Sequence, residues 1–307
     1  MNRTRIALAL TASAAMLAVA ACGSGSADPL STGGSTGTAD AGTIIVGSAN
    51  FPESALLAEI YAGALSAKGV KVEKKLNIGS RETYIPALTD GSIDLIPEYT
   101  GAILQHFNKD AKATGADDVY AELKAAVPAT LTILDKSAAE DKNAMVVTKD
   151  TATKLSLKSI GDLESRAKDL TLGGPPEMKT RLTGVPGLKR VYNLDFKTFR
   201  PLDAGGPLSV QALKNGQVDV ANIFTTDPSI AENGFVILDD PKSLFVAQNV
   251  VPLITKSKVN DTISAALNAI SAKLDTATLS ALLKEVVVYK KDAPVVAKEF
   301  LTKNGLG

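Results

Sequence analysis

The apolar positions change period several times between Thr43 and Gly101. Thr43-Ile44-Ile45-Val46-Gly47 is a continuous apolar run of strand length. After it, Leu57, Ile60, Tyr61, Ala64 and Leu65 recur at the three- and four-residue spacing of a helix with one buried face. Pro52 suits the first helical turn, Glu53 suits the positive end of the helix dipole, and Gly69 suits the stop. Val70, Val72 and Leu76 then alternate with polar residues, as a strand with one solvated face does. The pattern predicts β-α-β.

A second helix is predicted from about Glu82 to Thr89, ending at Gly91, with Ile93-Asp94-Leu95-Ile96 as the next strand. That strand runs into Pro97-Glu98-Tyr99-Thr100-Gly101. In open α/β sheets ligands sit beyond the carboxyl ends of strands, beside helix N-termini with free N–H groups. The loop after this strand is therefore a candidate site.

Ala87-Leu88-Thr89-Asp90-Gly91-Ser92-Ile93-Asp94-Leu95 has a counterpart in Ala212-Leu213-Lys214-Asn215-Gly216-Gln217-Val218-Asp219-Val220, at a constant offset of 125 positions. The same offset sets Tyr99 against Phe224 and Thr100 against Thr225. Two related lobes are expected, each ending a strand in an aromatic and a hydroxyl. Met145-Val146-Val147 and Ala221-Asn222-Ile223-Phe224 are expected as hinge crossings. Lobe one is then 43–143 plus 225–307, and lobe two is 144–224. Helical runs around Ile263 to Leu274 and Ala293 to Leu301 are expected to brace lobe one.

The N-terminal segment changes the picture of location. Arg3 and Arg5 precede an apolar stretch from Ile6 to Ala20, which is the layout of a secretory signal peptide over 1–21. The stretch is about 15 residues, short of the roughly 20 that span a membrane as a helix. Val19-Ala20-Ala21-Cys22 resembles the lipobox of bacterial lipoproteins, which implies a lipid on Cys22 and a membrane anchor; an ordinary cleaved signal with a spare cysteine is the alternative. After Cys22, residues 23–42 are mainly Gly, Ser, Thr, Ala and Asp with almost no large apolar side chain, so 22–42 is expected as a lipidated cysteine and a tether with a reach of roughly 25 Å.

Lys+Arg and Asp+Glu number 33 each, so no basic footprint points to nucleic acid. One histidine, His106, and one cysteine leave the common catalytic and metal-ligand inventories nearly empty. An enzyme, a metal and a cofactor are not expected; acid or base chemistry by Glu98, Asp94 or Glu82 is the remaining enzymatic alternative.

Four segments together resemble the substrate-binding proteins of osmoprotectant ABC importers, which take up glycine betaine, choline, carnitine or proline betaine. They are Ile45-Val46-Gly47-Ser48-Ala49-Asn50-Phe51-Pro52-Glu53, Asp94-Leu95-Ile96-Pro97-Glu98-Tyr99-Thr100-Gly101, Gly184-Val185-Pro186-Gly187-Leu188, and Val218-Asp219-Val220 through Phe224-Thr225-Thr226-Asp227. The resemblance implies an α/β, two-lobed periplasmic-binding-protein fold of type II character, with two hinge strands and a cleft between lobes. It also implies a monomer on the outer face of the membrane that closes on a small solute and docks to an ABC permease.

Members of that family hold a trimethylammonium head in a tyrosine cage, where cation–π attraction operates. Tyr99 matches one cage tyrosine. The other matching positions read Asn143, Phe224 and the segment Val246-Ala247-Gln248-Asn249, so amides stand where rings are expected. Asn50 and Ser54 at the first helix start, Arg81 and Glu82 at the second, and Thr100, Thr225 and Thr226 at the strand ends complete the ligand-binding candidates, with Gln248 and Asn249. A neutral polyol or small aromatic is the alternative ligand, and a surface scaffold without a working site is the alternative role.

Overall fold

The computed structural model describes residues 42–307. The expected signal peptide, Cys22 and all but the last residue of the expected tether lie outside the described residues.

Lobe one begins with β1 (Ile44–Gly47), α1 (Pro52–Ala67), β2 (Val72–Lys75), α2 (Arg81–Thr89) and β3 (Leu95–Tyr99). It continues through α3 (Thr100–Phe107), α4 (Ala116–Ala126) and β4 (Leu131–Ile133). Lobe two then contains β5 (Asn143–Val147), α5 (Lys149–Leu155), β6 (Thr171–Gly174), α6 (Val185–Tyr192) and β7 (Thr198–Pro201). It ends with α7 (Pro207–Lys214), β8 (Val220–Phe224), α8 (Ser229–Glu232) and β9 (Val236–Ile237). The chain returns to lobe one for β10 (Val250–Thr255), α9 (Asp261–Ser271), α10 (Thr276–Val287) and α11 (Ala293–Lys303).

Each lobe is a five-stranded sheet, ordered β2-β1-β3-β10-β4 in one and β7-β6-β8-β5-β9 in the other. The plans correspond strand for strand. β1 is parallel to β2 and β3, and β6 is parallel to β7 and β8. β10 and β5 are the antiparallel partners of β3 and β8. The repeated helix-Gly-strand unit is thus part of a β-α-β-α-β half in each lobe.

Apolar residues on α1 pack against α9 and α11, with Leu57, Ile60 and Leu65 buried beside Leu267, Phe300 and Leu301. The opposite face of the first sheet is covered by α2, α3 and α4 through Leu88, Leu104 and Leu123. α10, which carries no strong signal in the sequence, joins the bracing layer through Leu279.

The expected hinge positions are corrected by the strand pairing. Met145-Val146-Val147 and Ala221-Asn222-Ile223-Phe224 do not cross between lobes but pair with each other inside the second sheet, Met145 opposite Asn222. The residues after Thr225 also stay in lobe two: β9 pairs with Val146 and Val147, and Leu238, Leu244 and Phe245 are buried with Met145 and Leu172. The return lies between Phe245 and Val246, whose side chain packs in lobe one. The crossing segments are 137–142 and 246–250, joined by Asp141 N–H to Gln248 C=O at 3.1 Å, Ser137 N–H to Val250 C=O at 2.8 Å and Val250 N–H to Ala139 C=O at 3.0 Å. Buried apolar runs read as isolated strands whether they cross or pair; only a partner distinguishes them.

Candidate functional site

The carboxyl ends of β1, β3, β6 and β8 face a cavity of about 540 Å³ between the lobes. Gly47 lets β1 end close to β3, since a Cβ there would stand 2.7 Å from Ile93 Cδ1. The chain then turns through Ser48 to Phe51 into α1, with Ser54 Oγ accepting from Ala49 N–H at 2.9 Å. Gly101 has a similar role after β3: a Cβ there would meet the Ala247 carbonyl oxygen at 2.5 Å. The small residue allows α3 to start against the second crossing segment.

Three of the aromatic rings on the cavity wall form one group. Phe51 lies 5.1 Å from Phe224 and 6.1 Å from Tyr99, centroid to centroid. Tyr99 and Phe51 come from lobe one and Phe224 from lobe two. Phe51 is not among the candidates read from the sequence. The signal for it was an aromatic placed directly before Pro52 at the start of α1.

Of the other candidates, Asn50, Ser54, Arg81, Glu82, Asn143 and Gln248 line the same cavity. Arg81 is not free for an anion: its Nε and Nη2 donate to the two Glu98 oxygens at 2.9 and 2.8 Å. Burial alone would raise the Glu98 carboxyl, but the Arg81 charge and donors from Arg81, Tyr84 Oη and Tyr99 N–H outweigh it and hold it below the usual range. The conspicuous glutamate of the Pro97 to Gly101 segment is therefore a buried fastening for α2.

Glu82 is held across the cleft. Arg181 Nε and Nη2 donate to its oxygens at 3.0 and 2.8 Å. Partial burial opposes ionisation, yet the Arg181 and Ser80 hydrogen bonds and the Arg181 charge bring its carboxyl down to about 2.

Thr100, Thr225, Thr226 and Asn249 do not line the cavity; their side chains are hydrogen-bonded at or beside the crossing segments, with Asn249 Oδ1 buried and unpaired among the described residues. Thr100 Oγ1 accepts from Asn249 N–H at 3.0 Å, and Asn249 Nδ2 donates to the Ser137 carbonyl at 3.0 Å. Thr225 Oγ1 donates to Asp141 at 3.2 Å, and Thr226 Oγ1 donates to Glu53 Oε2 at 2.5 Å.

Two carboxyl groups missed in the sequence stand at this junction. Glu53, which reads locally as a dipole residue, also accepts from Tyr99 Oη at 2.6 Å. Burial pushes the Glu53 carboxyl up, and burial with the neighbouring Glu53 charge pushes Asp141 well above the ordinary aspartate range. Asp141 opens onto the cavity.

A model of the substrate-binding domain of ABC-type glycine betaine transport systems matches residues 42–303. The chain belongs to this family. A carnitine transport binding protein of Listeria monocytogenes is 27% identical over 269 residues, covering 85% of this chain and 87% of the relative. A glycine betaine-binding protein of Escherichia coli is 28% identical over 279 residues, covering 86% and 92%. Among solved structures, a glycine betaine/carnitine/choline ABC transporter protein aligns with a TM-score of 0.67 at 26% identity, covering 86% of this chain and 99% of that one. The family consists of transporter substrate-binding proteins rather than enzymes, and its two-sheet architecture is the one described above. Among the described residues no helix is long and apolar enough to cross a membrane.

Proposed function

We propose that this binding protein captures a small solute with a quaternary ammonium head, of the glycine betaine, choline and carnitine class, and delivers it to an ABC permease. The observation that carries this is the wall formed by Phe51, Tyr99 and Phe224. Rings from both lobes can face one cation, and each adds about 0.5–2 kcal/mol of attraction in a desolvated site. Because both lobes contribute, the ligand stabilises the closed arrangement by contacts that an open one lacks. Binding is by a monomer, held at the outer membrane face by a lipid on Cys22.

Calorimetric titration against glycine betaine, choline, carnitine, polyols and small aromatics tests the reading. Saturable binding of at least one quaternary amine, with a smaller radius of gyration on saturation, is the expected result; silence across the amines refutes it. A Cys22→Ser chain should leave the membrane fraction.

The amides Asn143 and Gln248 favour a second reading, a neutral polyol or small aromatic ligand, which predicts that Asn143→Ala abolishes binding while Phe224→Ala changes it little. A cavity of about 540 Å³ speaks against a scaffold whose cleft is filled.

A further inference from the structure

The Glu53 and Asp141 carboxyl groups meet where the first crossing segment passes the N-terminus of α1. Their residues are 2% and 4% exposed, and Thr226 bridges the two side chains, its N–H on Asp141 and its Oγ1 on Glu53. Glu53 accepts from Tyr99 Oη and Thr226 Oγ1. Asp141 Oδ1 accepts from Thr226 N–H at 3.1 Å and from Thr225 Oγ1.

The charged groups around them offer no compensation. Asp227 adds a second negative charge facing Glu53. Lys142, next in the chain, pairs with Glu140 at 3.3 Å, and Arg81 is committed to Glu98. Two carboxylates bridged by one threonine, withdrawn from water and without a paired cation among the described residues, cannot both be ionised. They hold one proton between them.

A second feature of the cavity points independently to a ligand. Gln248 is 1% exposed, and its Oε1 accepts from Ala102 N–H at 2.9 Å. Its Nε2 is buried with no partner among the described residues, and the side chain lines the same cavity as Asp141. A buried amide donor left unpaired is costly, and an acceptor oxygen on a bound solute would satisfy it.

We infer that the cleft takes a small cation carrying an acceptor oxygen, and that its capture expels the proton shared by Glu53 and Asp141. The inference rests on the quaternary-amine reading above and adds a specificity determinant to it. The free dyad, with one proton and one negative charge, exchanges that proton for the ligand's positive charge; the proton passes to solvent. The rings alone discriminate weakly between a cation and a neutral molecule of the same shape. The dyad supplies the discrimination, and it makes affinity rise with pH.

The test uses the full chain with choline, which has no group of its own titrating near neutrality, and with its uncharged carbon isostere 3,3-dimethylbutan-1-ol. Calorimetry in phosphate and in Tris buffer counts protons. Choline should release on the order of one proton per site, and its affinity should rise by up to about tenfold per pH unit while the free dyad remains protonated. The isostere should release none. Asp141→Asn, which keeps an acceptor for Thr226 and can donate to Glu53, should abolish the release and lower the choline-to-isostere affinity ratio at least about tenfold. Glu53→Gln should do the same if Asp141→Asn fails to fold.

Saturable choline binding with buffer-independent heat overturns this inference and leaves amine capture standing. An unchanged affinity ratio in the folded variant also overturns it. No binding of choline or of glycine betaine overturns both.

Discussion

Arg181, on lobe two, grips Glu82, at the first turn of α2 on lobe one, through two hydrogen bonds of 3.0 and 2.8 Å. Glu177 stands 3.6 Å from the same guanidinium. The fork joins the lobes at the cleft mouth without a ligand. Both partners retain solvent contact, so the contribution is small, about 0.2–1 kcal/mol, and is screened by salt. Arg181→Ala should raise the radius of gyration of the ligand-free protein in solution scattering. High salt should reproduce part of that change in the parent chain and add little in the variant.

Among the described residues, Phe224 is the one ring that lobe two contributes to the aromatic group. Its removal should weaken binding of a quaternary amine by about 0.5–2 kcal/mol, the scale of one cation–π contact. Phe224→Tyr retains the ring face and should cost less. Titration calorimetry of both variants with the same amine measures the difference.

Breaking the pair between Arg81 and Glu98 leaves a charge buried without its partner. Glu98 is fully buried and Arg81 nearly so. Glu98→Gln should destabilise the protein by about 3–5 kcal/mol in chemical denaturation. Double replacement by apolar residues of similar size should recover much of that loss.

Stability should depend on pH in two opposed ways. The Glu53 and Asp141 pair, both raised, keeps its shared proton in the folded chain where the unfolded chain has released it. Their contribution is greatest below the ordinary carboxylate values and declines as pH rises through the folded ones. Glu82, brought to about 2, and Glu98, also lowered, contribute above about 4.5 and lose that contribution as pH falls. Thermal melts from about pH 3 to about pH 8 should therefore show a mildly acidic optimum. Asp141→Asn should flatten the decline on the alkaline side and leave the acid side in place.

Much of the fold was legible because its units are local. The alternation from Ile44 to Leu76, the caps around α1 and the 125-position offset predicted two β-α-β-based lobes, and the sheets follow one plan. The candidates near strand ends were legible for the same reason, since β3 and β8 deliver Tyr99 and Phe224 to one cavity. Hydroxyls one or two residues farther along were not separable by sequence. Thr225 and Thr226 resemble pocket residues in their order, but their partners are Asp141 and Glu53.

By itself the sequence determined the periodic elements, the duplicated unit and the segments carrying the family resemblance, because each is expressed in neighbouring residues and their spacing. The tertiary structure alone decided which runs cross between lobes, which rings face one another, and that Thr226 bridges Glu53 and Asp141 across 88 positions of chain. The physical reason is that periodicity reports how deeply a segment is buried. A shared proton, a clasp or a hinge depends on which distant segment is buried beside it.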